Sequence, residues 1–122
     1  RAAALVERHR HVSPRARLSA AALDACGTGF DLVLNASASS VNGSAAPVAS
    51  AVLGAGCLAV DLMYGPPAVA FMAWARAHDA RTRDGLGMLV EQAAEAFHFW
   101  RGMRPHTAPV LQALRAQMTG GA

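Results

Sequence analysis

Two patterns of apolar residues occur along this chain, short runs of strand length and longer segments with helical spacing. The runs at residues 30–37 and 57–64 are typical of strands that are buried on both faces of a parallel sheet. A shorter segment, 80–84, is interpreted as a third strand, and residues 15–18 as a short strand that precedes the others. Residues 37–47 are rich in Ser, Asn and Gly and are predicted to form a loop.

Helical spacing predicts four helices, with a shorter one after Ser19 that ends at Gly27. Pro66 or Pro67 suits the first turn of the second helix. Strands that alternate with helices indicate an α/β protein with a parallel sheet. In such sheets ligands bind at the carboxyl ends of the strands, so the segments after the strands are the candidate sites. The four predicted helices cover residues 1–9, 68–79, 85–102 and 106–118.

The long helix after Asp84 carries two stripes of side chains. We interpret the first stripe as core. The second contains Met88, Gln92 and Phe99, and its Met88 lies in the first turn, where unpaired N–H groups face outward. Gly85 and Gly87 would let a flat ring approach the backbone. The alternative is an ordinary glycine-containing helix start with an incidental polar residue. The predicted core stripe consists of Leu86, Leu89, Ala93, Phe97 and Trp100.

Polar residues also close the two longer strands. Tyr64 could donate a hydrogen bond to a ligand carboxylate or serve as a half-buried packing residue. Asn35 and Ser37 could bind a ribose or their own turn backbone, and the turn role is the commoner one. Asp61 lies within an apolar strand, where a carboxylate needs partners. It could be a catalytic acid, but we favour a structural hydrogen bond to nearby backbone N–H groups.

Composition narrows the class of protein. The hydrophobic fraction of 53% argues against disorder. All eleven basic residues are Arg, and no aromatic residues interleave with them, so we predict no nucleic-acid partner. No window approaches the ~18 apolar residues of a membrane span, and no membrane partner is predicted. Cys26 and Cys57 lack a CxxC spacing and are predicted to be reduced, buried thiols of a cytoplasmic protein. The histidines show no metal-site spacing.

Three segments, taken in order, resemble shikimate dehydrogenase. The run "FDLVLNASASS" is similar to the strand of that family that ends in Asn-Ala-Thr-Ser. The run "VDLMYGPP" is similar to its Tyr-Asp-Met-x-Tyr strand end. "DGLGMLVEQAAEAFHFW" is similar to its Asp-Gly-x-x-Met-Leu-x-x-Gln-Ala segment, which is the most specific of the three, and "RGMRPHTAPVLQAL" to its C-terminal helix.

The resemblance implies a partial Rossmann-like parallel sheet with flanking helices. Residues 1–122 would be an incomplete NADP-binding domain that begins after the first two strands and ends in C-terminal helices. The implied reaction is the NADP-dependent reduction of 3-dehydroshikimate to shikimate, in aromatic amino-acid biosynthesis. The resemblance leaves open whether the protein forms a homodimer. The implied cofactor-binding residues are Arg1, Ser37, Leu62, Gly85 and Met88, of which Arg1 would bind the 2′-phosphate. The implied shikimate-binding residues are Tyr64 and Gln92.

The resemblance also implies what this chain lacks. The catalytic Lys and Asp of the family belong to its substrate domain, and this chain contains no Lys. The glycine-rich phosphate loop is absent as well, so we expect the chain to be inactive alone. Two alternatives stay open: an NAD-dependent quinate or shikimate dehydrogenase, and a non-catalytic Rossmann-like interaction domain.

Overall fold

The computed structural model describes residues 1–12, 15–42, 44 and 48–120. From residue 30 onward, helices and strands follow the predicted order, and short 3-10 turns lie between several of them. Within the described residues, no helix combines the length and the hydropathy that crossing a bilayer requires. The helices are α1 (Ala2–His9), α2 (Val69–Arg76), α3 (Leu86–Arg101) and α4 (Thr107–Gly120), and the strands are β1 (Phe30–Asn35), β2 (Leu53–Asp61) and β3 (Arg81–Arg83).

The three strands form one parallel sheet in the order β1-β2-β3. Asn35 at the end of β1 lies beside Asp61 at the end of β2. Val60 of β2 lies beside Arg83, the last residue of β3. The predicted parallel α/β sheet is therefore confirmed, and all three strands end at one edge.

The structure corrects two elements before β1. Residues 15–18 form no strand, and their side chains are exposed. A single extended segment is not stable without a hydrogen-bonded neighbour, and this one has none among the described residues. The helix predicted after Ser19 is reduced to one 3-10 turn, Leu23–Ala25. Cys26 follows that turn, and its thiol donates to the Leu23 carbonyl at 3.2 Å. Cys26 is only partly buried, contrary to the prediction, whereas Cys57 is buried as predicted; both are free.

Two further boundaries differ from the prediction. In the loop predicted at 37–47, Ala38–Asn42 form a 3-10 turn, while Gly43 and residues 45–47 lie outside the described part. Strand β2 begins at Leu53 rather than at residue 57. From Phe30 to Leu32, β1 advances two residues while its partner advances from Leu53 to Leu58, so β2 bulges there. Gly56 permits the bulge with a φ of 71°. The first half of β2 was not predicted because glycines are uncommon inside strands.

The hydrophobic core lies between the sheet and α2. Phe71 and Ala75 of α2 are buried with Cys57 and Ala59 of β2. Val33 of β1 packs against this cluster. The alternate side chains of β1 point the other way, and they stay between 41% and 57% exposed. Helix α2 therefore covers only one face of the sheet; the exposed side chains of β1 are Phe30, Leu32 and Leu34.

The core stripe of α3 differs from the predicted one. Its buried residues are Leu86, Val90 and Ala94, which repeat every four positions. Leu89, Ala93 and Phe97 line an apolar groove toward α4, together with Val90 and Ala94, and Trp100 is 74% exposed. Leu86 is buried as predicted, but the rest of the predicted stripe was wrong. Helical spacing alone leaves the direction of the stripe open, and α3 packs chiefly on α4.

Gly85 joins β3 to α3 and packs directly on the backbone at the end of β2. A Cβ at this position would lie 2.0 Å from the Leu62 carbonyl oxygen. The Gly85 N–H also donates to the Met63 carbonyl at 2.8 Å. A side chain would push α3 away from the sheet, so the position requires glycine. At Gly87 a Cβ would meet no heavy atom within 4 Å.

We expect Gly85→Ala to lower the free energy of unfolding by about 1–3 kcal/mol, because the new methyl group overlaps the Leu62 carbonyl. Gly87→Ala should raise it by about 0.4–1 kcal/mol, because alanine restricts the unfolded chain and fits the helix. Urea denaturation of both variants measures the two changes. Equal stability of the two variants would contradict the close packing at Gly85.

Candidate functional site

The residues singled out by sequence follow three neighbouring strands. Ser37 comes after β1, Leu62 and Tyr64 after β2, and Gly85 and Met88 after β3. Because the strands are parallel and adjacent, these residues lie along one edge of the sheet. This is the edge where open α/β sheets bind ligands.

A buried carboxylate organises the first half of this edge. The Asp61 side chain is fully buried. Its Oδ2 accepts hydrogen bonds from the Ser40 hydroxyl and from Asn35 Nδ2, the latter at 3.2 Å. Its Oδ1 accepts from the Met63 N–H at 2.9 Å. The hydrogen-bonding interpretation of Asp61 is therefore correct, although side chains contribute to it as well as backbone.

Asn35 and Ser37 make the turn contacts that were predicted as the commoner alternative. Asn35 Oδ1 accepts from the Ser37 hydroxyl at 2.6 Å and from the Ser37 N–H at 3.2 Å. Ser37 nevertheless stays exposed. A concavity of about 290 Å³ lies beside the turn. It is lined by Leu23, Val33, Leu34, Asn35, Ala36, Ser37, Val48 and Phe71.

Backbone hydrogen bonds connect the three strand ends. The Leu62 N–H donates to the Asn35 carbonyl at 3.0 Å, and the Gly85 N–H donates to the Met63 carbonyl. Gly85 thus packs closely against the Leu62 backbone, whereas the space that a Cβ of Gly87 would face is open. A planar ligand therefore has room beside the first turn of α3, at Gly87 rather than at Gly85.

Three larger side chains project from this edge. Tyr64 is 42% exposed and Met88 is 48% exposed, and Gln92, one helical turn beyond Met88, is exposed. None of the three side chains has a hydrogen-bond partner among the described residues. Their phenol, thioether and amide groups are therefore accessible to a ligand. Their functional roles remain predictions.

An ion pair ties α4 to the start of α3. The Asp84 side chain is 4% exposed, and both of its oxygens accept hydrogen bonds from the Arg115 guanidinium. Oδ1 also accepts from the Leu86 N–H at 3.3 Å. Burial raises the pKa of the Asp84 carboxyl, but the hydrogen bonds and charge of Arg115, with the Leu86 N–H, outweigh it and leave the pKa below its usual value.

Arg1 stands apart from the other candidates. It precedes α1, which buries none of its side chains. Within the part of the chain that the structure describes, no side-chain hydrogen bond or ion pair of Arg1 reaches the other candidate residues. Six of the seven candidates therefore follow adjacent strands of one sheet, whereas Arg1 lies ahead of β1, at the start of α1.

Sequence reasoning missed Ser40 and Arg115. Ser40 is fully buried and supplies one of the donors to Asp61. A buried carboxylate at a strand end needs hydrogen-bond donors from a neighbouring loop, and this requirement could have indicated the serines after β1. Arg115 lies 31 positions from Asp84, and no local pattern announces the pair. Groups of three or more metal-ligating side chains do not occur among the described residues.

The chain is similar in sequence to known proteins over nearly its whole length. The family described as Shikimate 5'-dehydrogenase C-terminal domain matches residues 85–115. Shikimate dehydrogenase (NADP(+)) of Methylibium petroleiphilum is 57% identical over 98% of this chain. Its counterpart in Acidovorax ebreus is 55% identical over the full chain. The chain is thus similar, over nearly its whole length, to shikimate dehydrogenases.

Solved structures show the same similarity. An Ael1 enzyme from Pseudomonas putida is 44% identical and matches with a TM-score of 0.76 over 91% of this chain and 41% of that protein. Shikimate 5-dehydrogenase from Thermus thermophilus, in complex with NADP(H) and shikimate, is 30% identical with a TM-score of 0.59 over 70% of this chain and 33% of that protein. The partial Rossmann-like fold is therefore confirmed. The chain spans only 42–44% of the length of the first two relatives.

We expect Asp61→Ala to lower the free energy of unfolding by roughly 3 kcal/mol or more, because the Ser40 hydroxyl and the Met63 N–H lose their acceptor. Asp31→Ala is the matched control, since Asp31 is an exposed carboxylate on β1, and it should stay within about 0.5 kcal/mol of the parent. Denaturant titration of both variants provides the comparison. Similar losses in the two variants would show that the Asp61 network contributes little.

Proposed function

We propose that this chain is the C-terminal part of an NADP-dependent shikimate dehydrogenase, which reduces 3-dehydroshikimate to shikimate in aromatic amino-acid biosynthesis. The proposal rests on one observation above all. The segments of this chain that match the family meet at the carboxyl edge of a single parallel sheet. The relatives named above act with NADP(+) by their names, and one solved relative holds NADP(H) and shikimate.

The residues at the sheet edge fit a dinucleotide whose nicotinamide exchanges a hydride with the substrate. The backbone of Leu62 and Gly85 would line the cofactor site, and the half-exposed Met88 would pack near the nicotinamide. The space before Gly87 leaves room for a flat ring there. Ser37 borders the concavity beside β1, where its hydroxyl can donate to a sugar or phosphate oxygen. Arg1 would meet the 2′-phosphate.

Substrate recognition would fall to Tyr64 and Gln92. The Tyr64 phenol can donate to the shikimate carboxylate, and the Gln92 amide can donate to and accept from its hydroxyl groups. Both side chains are exposed at the same edge and are free of partners among the described residues. No catalytic residue is assigned to this chain, because the resemblance places the catalytic Lys and Asp in the substrate domain.

We further infer that residues 1–122 form an incomplete NADP-binding domain with C-terminal helices. The uncovered face of β1 supports this inference, because doubly wound α/β sheets carry helices on both faces. A cytoplasmic location, a homodimer, and the absence of nucleic-acid and membrane partners belong to the same proposal. The names of the relatives favour NADP over the NAD-dependent alternative and an enzyme over an interaction domain.

Residues 1–122 alone should show no shikimate-dependent reduction of NADP, since losing a general acid or base alone costs about 10²–10⁴-fold. A chimera that joins the N-terminal part of the Methylibium petroleiphilum relative to this chain should turn over at about 1 s⁻¹ or faster. The measurement is NADPH absorbance with shikimate as substrate. An inactive but folded chimera, beside an active relative, would overturn the proposed function. Turnover by residues 1–122 alone would overturn the assignment of catalysis to the other domain.

In that chimera, Gln92→Ala should raise the KM for shikimate more than the KM for NADP. One neutral hydrogen bond is worth about 0.5–1.5 kcal/mol, which corresponds to roughly a 2- to 13-fold change. Gln112→Ala on α4 is the control, because Gln112 is also an exposed glutamine on a helix. Steady-state kinetics should leave the control unchanged. If Gln92→Ala lowered only the melting temperature, Gln92 would be a structural residue.

A further inference from the structure

We propose that Arg115 is a positioning residue for the dehydrogenase reaction: by holding the Asp84 carboxylate it fixes the start of α3, which carries the cofactor- and substrate-facing residues. Arg115 itself touches neither ligand in this scheme. The inference rests on the proposed function and adds a residue from the C-terminal helix to it. Four features of the structure support it.

The first feature is the geometry of the ion pair. Each Asp84 oxygen accepts from a different nitrogen of the same guanidinium, so the pair fixes orientation as well as distance. Oδ1 also accepts from the Leu86 N–H in the first turn of α3. One carboxylate that is 4% exposed thus connects α4 to the helix start. The Asp84 carboxylate is shielded, whereas the Arg115 side chain is 45% exposed, so solvent screens this pair less than a pair in which both groups are exposed.

The second feature is the path from Asp84 to the site. Gly85 follows Asp84 directly and is seated on the Leu62 backbone, with no space for a side chain between them. Met88 and Gln92 then follow on the same continuous helix. A helix moves as a unit over this length, so a displacement at Asp84 is carried to Gly85, Met88 and Gln92 together.

The third feature is a second contact made by α4. The Met118 methyl group lies 3.1 Å from where a Cβ of Gly65 would be, so α4 also reaches the turn that follows Tyr64. A cleft of about 470 Å³ runs between α4 and this turn, and Gly65, Asp84, Arg115 and Met118 are among its lining residues. Helix α4 therefore lies across the turns after β2 and after β3, which bear Tyr64 and Met88.

The fourth feature is a contrasting pair of ionic contacts that join the segment before α4 to α3 beyond its first turn. Arg104, between α3 and α4, binds Glu91 at 3.0 Å and Glu95, and all three side chains are about half exposed. Glu91 and Glu95 lie five and nine residues beyond Leu86, about 8 and 14 Å along the helix axis. This pair braces α3 without touching its first turn, and Arg104 therefore serves as the matched control.

The experiment measures steady-state kinetics of the intact enzyme that contains this chain, well below the lowest melting temperature. Arg115→Ala should raise the KM for shikimate and the KM for NADP together and lower kcat/KM about tenfold or more, since small misplacements of positioned groups are costly. Arg115→Lys, which keeps the charge but loses the two-pronged geometry, should fall between Arg115→Ala and the parent. Arg104→Ala should leave the kinetic constants unchanged.

A double-mutant cycle with Asp84→Asn separates the ion pair from the helix cap. The amide oxygen of Asn can still accept from the Leu86 N–H, but it no longer pairs with Arg115 by charge. Asp84→Asn should therefore reproduce the kinetic effect of Arg115→Ala, and the double variant should be no worse than either single one. Additive effects of the two substitutions would overturn the proposal.

The outcomes distinguish this inference from the proposed function. An active parent whose Arg115→Ala and Arg115→Lys variants lose thermal stability but keep their kinetic constants would overturn the positioning role alone. A rise in only one of the two KM values in Arg115→Ala would also overturn it, because the proposal requires a joint shift. An inactive parent enzyme would overturn the proposed function and, with it, this inference.

Discussion

The Asp61 carboxylate holds together the ends of β1 and β2, and the order of the whole candidate site depends on it. Its partners come from three places, Asn35 on β1, Ser40 in the following turn and the Met63 N–H after β2. An isolated carboxylate in this interior position would be strongly unfavourable, so the donors must be present for the fold to form. The donors come from two strand ends and bind the same carboxylate. This shared acceptor therefore also fixes the relative position of Ser37 and Leu62, which follow those strands.

A second carboxylate, Asp84, performs the corresponding task at the end of β3 by a different interaction. Asp61 is held by neutral donors, whereas Asp84 is held by a guanidinium from α4. A charged partner can reach a strand end from a distant helix, and it does so here across 31 positions of sequence. The two carboxylates are linked through the backbone contacts of Leu62, Met63 and Gly85, so the three strand ends form one continuous network.

Much of this arrangement could be predicted from the sequence, because it depends on local patterns. The apolar run of β1, the prolines before α2 and the glycine at the end of α3 each specify an element through nearby residues. Their order and the resemblance of three segments then indicated the sheet and the location of the site. Contacts between residues that are far apart in sequence could not be predicted. The direction of the α3 stripe is set by α4, and the role of Arg115 is set by Asp84, and neither dependence leaves a local pattern.

The errors at the start of the chain have the same physical origin. Residues 15–18 were predicted to form a short strand, yet strand formation requires a partner that supplies backbone hydrogen bonds. The outward face of β1 shows the same need, since Phe30, Leu32 and Leu34 remain accessible while Val33 packs on the core. A sheet that is covered on one face gains only part of the burial that stabilises a doubly wound domain. The strand ends are nonetheless held by hydrogen bonds and an ion pair. The geometry of the candidate site therefore depends less on burial of the second sheet face than the stability of the sheet does.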